Sequence, residues 1–237
     1  MKKGKTQKIL DIIIPVHYEE DNIKKLIYLV RKYVKTPNEM LLVYQDEKDP
    51  TLEIIRRNSK KYRNIISIKS KYGIGMIQAL KTGFEKSTAK IICVMMADLS
   101  DDPRDIDLMI RKIDKGFDLV CASRYIKNGK RTGGPVLKGF LSFFACYTLK
   151  LLTGIPTHDA TNAFKCFRAN VLKKITIESA SGFEFALELT VKSFSLGYKI
   201  AEIPTKWKER EKGNSKFNLL RIFPMYLRWY LYAVKKH

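Results

Sequence analysis

Two hydrophobic rhythms alternate along the first half of the chain. Residues 8–15 form an isoleucine-rich run without a helical spacing, which predicts a buried strand. Residues 21–33 then place Ile23, Leu26, Ile27 and Val30 on one side of a 3.6-residue turn, which predicts a helix. The pattern repeats. Strands are expected over 40–44, 65–68, 91–96 and 119–122, with helices over 51–58, 75–86 and 103–115 between them. Ser100 or Asp102 is the expected cap of the last of these helices. Such alternation predicts a mainly parallel sheet covered by helices on both faces. Ligands of such sheets bind beyond the carboxyl ends of the strands. That rule selects the loops after Ile14, Tyr44, Met96 and Ala122.

The second half is less regular. Residues 136–152 are apolar and aromatic, with Lys138 and Lys150 near the two ends, and fit a buried helix or one lying in a membrane interface. Residues 181–194 read as a helix with Glu184 and Glu188 one turn apart, and 199–204 as a strand. From 217 to 234, Leu220, Phe223, Leu227, Tyr230 and Val234 recur at helical spacing, while Arg221, Arg228 and Lys235 share another face. The expected organisation is a catalytic domain over 1–216 and a basic amphipathic C-terminal helix over 217–237.

Composition adds one strong constraint. The 237 residues carry 45 Lys+Arg against 24 Asp+Glu, a formal charge of +21, which predicts an anionic partner. Hydrophobic residues make up 45%, enough for a full core and too many for a disordered chain. Cys93, Cys121, Cys146 and Cys166 form no C-x-x-C pair and read as free thiols of a reducing compartment. The basic start is followed by a short apolar run broken by Asp11 and Pro15, which is not a signal-peptide pattern. No uncharged apolar run of about 18 residues occurs, so no transmembrane span is expected. The expectation is a cytoplasmic protein, peripheral on the cytosolic face of a membrane.

Chemistry concentrates in four polar segments. Asp98 ends an otherwise apolar strand, and Ser100, Asp101 and Asp102 follow within a turn. Oxygen ligands at that density suit Mg2+ or Mn2+. Helix capping also explains Ser100, Asp101 and Asp102 and is the better reading of Asp101 and Asp102, while pattern alone leaves both readings of Asp98 open. Pro15, His17, Glu19 and their neighbours join the first strand to the first helix, where an aromatic ring beside acids can hold a nucleoside; acids also favour the first turn of any helix. Asp46 sits in a third loop that is either a base or ribose contact or a solvated turn. Arg210, Lys212, Gly213, Ser215 and Lys216 make a phosphate clamp or a basic turn, and Arg124, just after a strand end, can point at the same anion.

Taken in order, these segments resemble the family-2 glycosyltransferases, and within them the dolichol-phosphate mannose synthase and polyprenyl-phosphate sugar transferase branch. The resemblance runs from Ile14-Pro15-Val16-His17-Tyr18-Glu19-Glu20-Asp21-Asn22-Ile23 through Gly75 to Phe84, Met96 to Pro103 and Ala122-Ser123-Arg124-Tyr125. It continues with Asp159-Ala160-Thr161-Asn162-Ala163-Phe164-Lys165 and Gly182-Phe183-Glu184-Phe185, and ends at Arg210 to Lys216. It implies a GT-A fold and inverting transfer from a nucleotide sugar, UDP- or GDP-linked. Pro15, His17 and Glu19 are then expected around the nucleoside and Asp46 at the base or ribose. Asp98 binds the metal with help from Ser100, and Arg124, Arg210, Ser215 and Lys216 hold phosphate. The chain departs from the family pattern at three places. Met96 stands where the metal motif has its first Asp, Tyr44 and Gln45 stand where paired aspartates follow the second strand, and His17 replaces a tyrosine.

The resulting expectation is in-line displacement at the anomeric carbon, with a lipid phosphate as acceptor and an anionic membrane as surface. A glycan hydroxyl is the alternative acceptor, with Glu184 as the base that it requires. A nucleic-acid-binding protein is the rival suggested by charge alone, but no RNA-recognition, zinc-finger or helix-turn-helix signature occurs and no nucleic-acid partner is expected. A nucleotidyltransferase would carry a glycine-rich loop near the first strand, and residues 15–22 contain no glycine. Self-association is left open.

Overall fold

The computed structural model describes residues 8–57, 61–180, 182–209 and 219–236, with side chains in the last segment from 222 onward. Arg210, Ser215 and Lys216 lie outside the described residues, as does the expected domain boundary at 216/217.

The first half follows its hydrophobic rhythm. β1 (Leu10–Pro15), β2 (Asn38–Tyr44), β3 (Ile65–Lys69) and β4 (Ile91–Val94) are joined by α1 (Glu20–Tyr33), α2 (Pro50–Arg57) and α3 (Met76–Lys86). These four strands pair in parallel, as crossover helices require. A 3-10 turn, Pro103–Asp105, opens α4 (Ile106–Asp114), and Asp102 caps it by accepting from Arg104 N at 3.0 Å. β5 is Leu119–Ser123.

The second half contains the expected helices and strand, together with short elements that no periodicity announced. α5 (Val136–Thr153) leads into β7 (Lys165–Arg168), a four-residue strand that inserts antiparallel between β4 and β5. α6 (Ala169–Lys174), α7 (Phe185–Ser195), β8 (Ile200–Pro204) and α8 (Leu219–Lys236) complete the chain. The main sheet runs β3-β2-β1-β4-β7-β5-β8, and β6 (Lys130–Thr132) pairs separately with β9 (Lys206–Lys208). β7 escapes a reading by pattern because it is short and its ends are Lys165 and Arg168. Lys165 is nonetheless buried, with Nζ 3.3 Å from Cys121 Sγ.

Alternation along each strand divides the core in two. Ile12 and Ile14 face α1, α2 and α4, while Ile13 faces α3. Gly83 permits that approach: a Cβ there would lie 2.5 Å from Ile13 Cγ2. The core on the second face is closed by α3, α5, α7 and α8. α8 enters it through Trp229 and Ala233, and its hold is polar as well as apolar. Trp229 Nε1 donates to Ser179 Oγ at 3.2 Å, Arg228 pairs with Glu178, and Lys192 bridges Glu178 and Glu188. Phe223 and Leu227, which helical spacing groups with the apolar side of this helix, point outward instead.

α5 is not the buried helix that its composition allows. Only Cys146, Leu149 and Thr153 are buried. Phe140, Phe143, Phe144 and Tyr147 are among its exposed rings. Its 18 residues, with mean hydropathy 1.3, are long and apolar enough to cross a membrane by length and composition alone, although Lys138 and Lys150 lie within them.

Candidate active site

Parallel pairing brings the carboxyl ends of β2, β1, β4 and β5 to one edge of the sheet. β7 runs the other way, so the loop that precedes it arrives at the same edge. Every sequence-predicted site residue among the described ones lies at or next to that edge, except Glu184, which stands at the start of α7.

The first loop turns sharply. Tyr18 adopts φ 57°, a left-handed conformation that costs a non-glycine residue about 1 kcal/mol or more. The turn lets Tyr18 N donate to Asp49 Oδ2 and its hydroxyl donate to Asp46 Oδ2, both at 2.9 Å. Asp46 Oδ1 accepts from Lys48 N. The Lys48 N–H and the Tyr18 hydroxyl hold the Asp46 carboxyl below its usual range, and the bond to Asp46 pushes the Tyr18 phenol up. Pro15 and Glu19 flank this turn, and the exposed His17 ring stands edge-on to Tyr18 at 4.9 Å. Pro15, His17, Glu19 and Asp46 are therefore brought together, by a residue that the sequence pattern did not single out.

Gln45 makes a second link across the edge. Its Nε2 donates to Gly75 O at 3.0 Å and its Oε1 accepts from Gly75 N at 2.9 Å. Gly75 has φ 126° and a Cβ there would sit 2.5 Å from Gln78 Oε1, so only glycine fits.

The loop after β4 contains the second left-handed non-glycine residue of the edge, Leu99, with φ 62°. Asp98 Oδ1 accepts from Ser100 N at 3.1 Å. Asp101 is buried and accepts from Met96 N at 3.0 Å. Burial pushes its carboxyl up to about 7 against the pull of that N–H, and Asp98 adds to the rise. Asp101 thus braces the loop rather than capping the helix, and Asp102 is the cap. Asp98 opens on a cavity of about 320 Å³ lined also by Asn22, Lys25, Ser100, Lys206 and Lys208. Sequence pattern assigned no role to the three lysines. The alternation Lys206-Trp207-Lys208 was the available signal, since it sends both lysines to one side of a strand and Trp207 to the other. Lys208 N donates to Ser100 O at 3.1 Å and fastens this strand to the Asp98 loop.

Few carboxylates here are placed to hold a divalent cation. Among the described residues, no three His, Cys, Asp or Glu side chains converge as a metal cluster. Asp101 and Asp102 are committed to Met96 N and Arg104, and Met96 replaces a further carboxylate. Asp98 remains. Mg2+-like ions are commonly held by one or two carboxylates together with substrate phosphates and water. The donor set suits a cation completed by a bound diphosphate.

Arg124, after β5, is not an open cation. Its Nε and Nη2 form a fork on buried Asp159 at 2.7 and 2.8 Å, and its own N–H adds a third bond at 3.0 Å. Nη2 also reaches Thr161 Oγ1 at 3.1 Å, which contacts Ser142 Oγ of α5 at 3.0 Å. Burial opposes the charge on both partners, and each more than restores the other's: the guanidinium lies above its ordinary range and the Asp159 carboxyl below. No described residue accepts from Arg124 Nη1, the one edge through which it can meet a phosphate. Sequence pattern gave Asp159 no role of its own. Its signal was an aspartate two residues before Thr161 in a polar turn between apolar runs. Glu184 is 1% exposed, beneath α8. Burial, and after it the Glu184 charge, pushes the Tyr226 phenol of α8 up.

Comparison with known proteins identifies the family and the fold. Residues 11–176 match the family model described as Glycosyl transferase family 2. The chain is 27% identical over 230 residues to a polyprenol monophosphomannose synthase of Mycolicibacterium smegmatis, covering 90% of this chain and 82% of that one. It is 28% identical over 233 residues to a dolichol-phosphate mannosyltransferase of Pyrococcus furiosus, covering 96% of this chain and 64% of that one. In fold it is similar to glucosyl-3-phosphoglycerate synthase of Mycobacterium tuberculosis, solved with Mn2+, UDP and glucosyl-3-phosphoglycerate. The TM-score is 0.70 at 15% identity, over 97% of this chain and 80% of that one.

Proposed function

The chain belongs to glycosyl transferase family 2, and we propose that it moves a sugar from a nucleoside-diphosphate donor to a polyprenyl phosphate at a membrane surface. It is a glycosyltransferase of the GT-A fold. The single observation that carries the acceptor reading is the arrangement around Arg124. A buried guanidinium, with one edge that no described residue engages, is linked through Thr161 to a helix whose outer face is apolar and exposed. A lipid phosphate has that same polarity, an anionic head on a hydrocarbon chain. The names of the two curated relatives support it.

In this reading Pro15, His17, Glu19 and Asp46 line the nucleoside, with Tyr18 holding Asp46 in place. Asp98, aided by Ser100, carries the divalent cation, which supplies charge neutralisation for the leaving nucleoside diphosphate. Lys25, Lys206 and Lys208 add positive potential to the same cavity. Asp159 turns Arg124 toward the acceptor. Arg210, Ser215 and Lys216, outside the described residues, complete the phosphate contacts. A phosphate acceptor is already anionic at neutral pH and needs orientation rather than a base.

α5 and α8 are the surfaces for the bilayer. Exposed Leu137, Phe140 and Phe144 on α5, and Phe223 and Leu227 on α8, are accompanied by Lys138, Lys150, Lys235 and Lys236. α5 lies in the interface in this reading, because Cys146 and Leu149 are embedded in the core and Ser142 is tied to Thr161. Co-sedimentation with anionic vesicles tests it: the protein is expected in the pellet, and Leu137→Ser with Phe144→Ser is expected to return it to the supernatant.

The activity test incubates the protein with UDP- and GDP-sugars, Mn2+ or Mg2+, and a polyprenyl phosphate in vesicles. Sugar transferred to the lipid, dependent on the metal, is the expected result. Transfer to a glycan hydroxyl alone would replace the acceptor reading, and absence of any turnover with any donor would remove the function.

A further inference from the structure

Aromatic side chains form a continuous row that begins on Arg124. Its Cζ lies 5.1 Å from the Tyr125 ring centroid. Tyr125 meets Phe143 of α5 edge-on at 5.4 Å, and Phe143 stacks on Tyr147 at 6.2 Å with 19° between the ring planes. The next position one turn on is Leu151, which is exposed. A second pair, Phe140 and Phe144, stacks at 6.2 Å along the same helix. With 3.6 residues per turn, this pair is rotated from the first by about 60°. Phe143 and Tyr147 are 43% and 53% exposed, Phe140 and Phe144 60% and 53%. Monomeric proteins rarely leave so many rings in one open patch without a use for them. The two rows differ in one respect. Among the described residues, only the Phe143 row is continuous, through Tyr125, with the buried ion pair at the edge of the sheet.

We propose that Tyr125, Phe143 and Tyr147 seat the first isoprene units of the acceptor, while Phe140 and Phe144 lie against the surrounding lipid. The inference rests on the polyprenyl phosphate reading and adds to it a defined path for the chain. The phosphate has to meet Arg124 through Nη1, so the carbon next to it leaves from the Arg124 side. Two rings flank the guanidinium, Tyr125 at 5.1 Å and Trp207 at 5.8 Å, and among the described residues it is Tyr125 that continues onto the rings of α5. Flat rings at spacings of 5.4 and 6.2 Å present a continuous wall to an unsaturated, methyl-branched chain. A chain on this wall leaves water over a few units only, after which it can enter the bilayer beside Leu151. The protein therefore selects its acceptor by the first units of the chain, and the remainder of the chain contributes through membrane partitioning.

The test uses the full chain without detergent or vesicles, and monophosphates of one, two, three and four isoprene units below their micellar concentrations. Both direct binding of these compounds and steady-state transfer from the active nucleotide sugar are measured. Kd and KM are expected to fall by roughly tenfold per added unit until the row is covered, and then to level off. Phe143→Ala and Tyr147→Ala are expected to flatten that dependence, raising KM for the three- and four-unit compounds much more than for the one-unit compound, as loss of uniform binding does. Phe143→Leu, which keeps an apolar side chain, is expected to restore much of it. Phe140→Ala with Phe144→Ala is expected to keep the chain-length dependence and to weaken only vesicle binding. A dependence unaltered by Phe143→Ala and Tyr147→Ala, or lost equally in the Phe140/Phe144 variant, overturns the path. If no isoprenyl phosphate of any length binds or is glycosylated, the acceptor reading itself falls and the path with it.

Discussion

The two sides of the catalytic edge are built on opposite plans. On the donor side, at the ends of β1, β2 and β4, Tyr18, Asp46 and Asp98 are exposed or half-buried, with Tyr18 bonded to Asp46 and Ser100 N to Asp98, above the buried side chains of Asp49, Ser100 and Asp101. On the acceptor side, the polar pair Arg124 and Asp159 is buried and the apolar side chains of α5 face outward. In the proposed reading, the difference corresponds to what each side has to handle. A nucleotide arrives from water and leaves to water, so its contacts must exchange readily with solvent. A lipid phosphate brings its own hydrocarbon to the surface, so the protein exposes apolar groups and keeps its charge inside, where a desolvated pair has a fixed geometry.

This contrast is broken most directly at the buried pair. Asp159→Ala removes the carboxylate from beneath Arg124 and leaves an uncompensated cation, which is expected to cost about 3–5 kcal/mol in urea unfolding. A loss below about 1 kcal/mol would mean that the pair is solvated like the donor-side contacts. Next is Asp98→Asn, expected to lower metal-stimulated transfer by roughly 10²–10³-fold with little change in unfolding, since Asp98 opens on a cavity. An unchanged response to Mn2+ titration would move the cation elsewhere. Glu184→Gln sharpens the acceptor side. Transfer to a phosphate acceptor should fall less than about tenfold, whereas a hydroxyl acceptor, which needs a base, should lose roughly 10²–10⁴-fold. Losses of equal, small size on both would remove Glu184 from the mechanism. The smallest effect is expected at Tyr18→Phe. It removes one exposed hydrogen bond to Asp46 and should raise the donor KM roughly threefold, with acceptor KM unchanged. A change in acceptor KM instead would erase the division between the two sides.

The donor side is largely legible in the sequence. β1, β2 and β4 end within a residue or two of the hydrophobic runs that announce them, so Pro15, His17, Glu19, Asp46 and Asp98 fall at the correct edge of the sheet. The closing of the loops is not legible there. The reach of Tyr18 to Asp46 spans 28 residues and depends on a left-handed turn that no side-chain pattern encodes. Asp101, expected as a helix cap, braces Met96 N instead, because the loop folds back on itself before the helix begins.

The acceptor side is less legible for a definite reason. β7 is four residues long with basic ends, and its value lies in its direction. Only an antiparallel strand at that place delivers Asp159 to Arg124, 35 residues away. Helical spacing likewise identifies 136–152 and 217–234 as helices without saying which faces are covered. Trp229 and Ala233 go inside and Phe223 and Leu227 stay out because Ser179, Glu178 and Lys192 receive α8 at that angle.

The sequence by itself determined the alternation of strands and helices, the parallel arrangement of the first four strands, and the carboxylate at the end of β4. Each follows from periodicities of two or 3.6 residues, which a chain carries locally. Tertiary structure alone decided that Arg124 would be neutralised by Asp159, that three lysines would surround Asp98, and that the rings of α5 would remain uncovered. Those outcomes depend on which distant element arrives at a given face, and a local pattern records only that a face is apolar, not what will meet it.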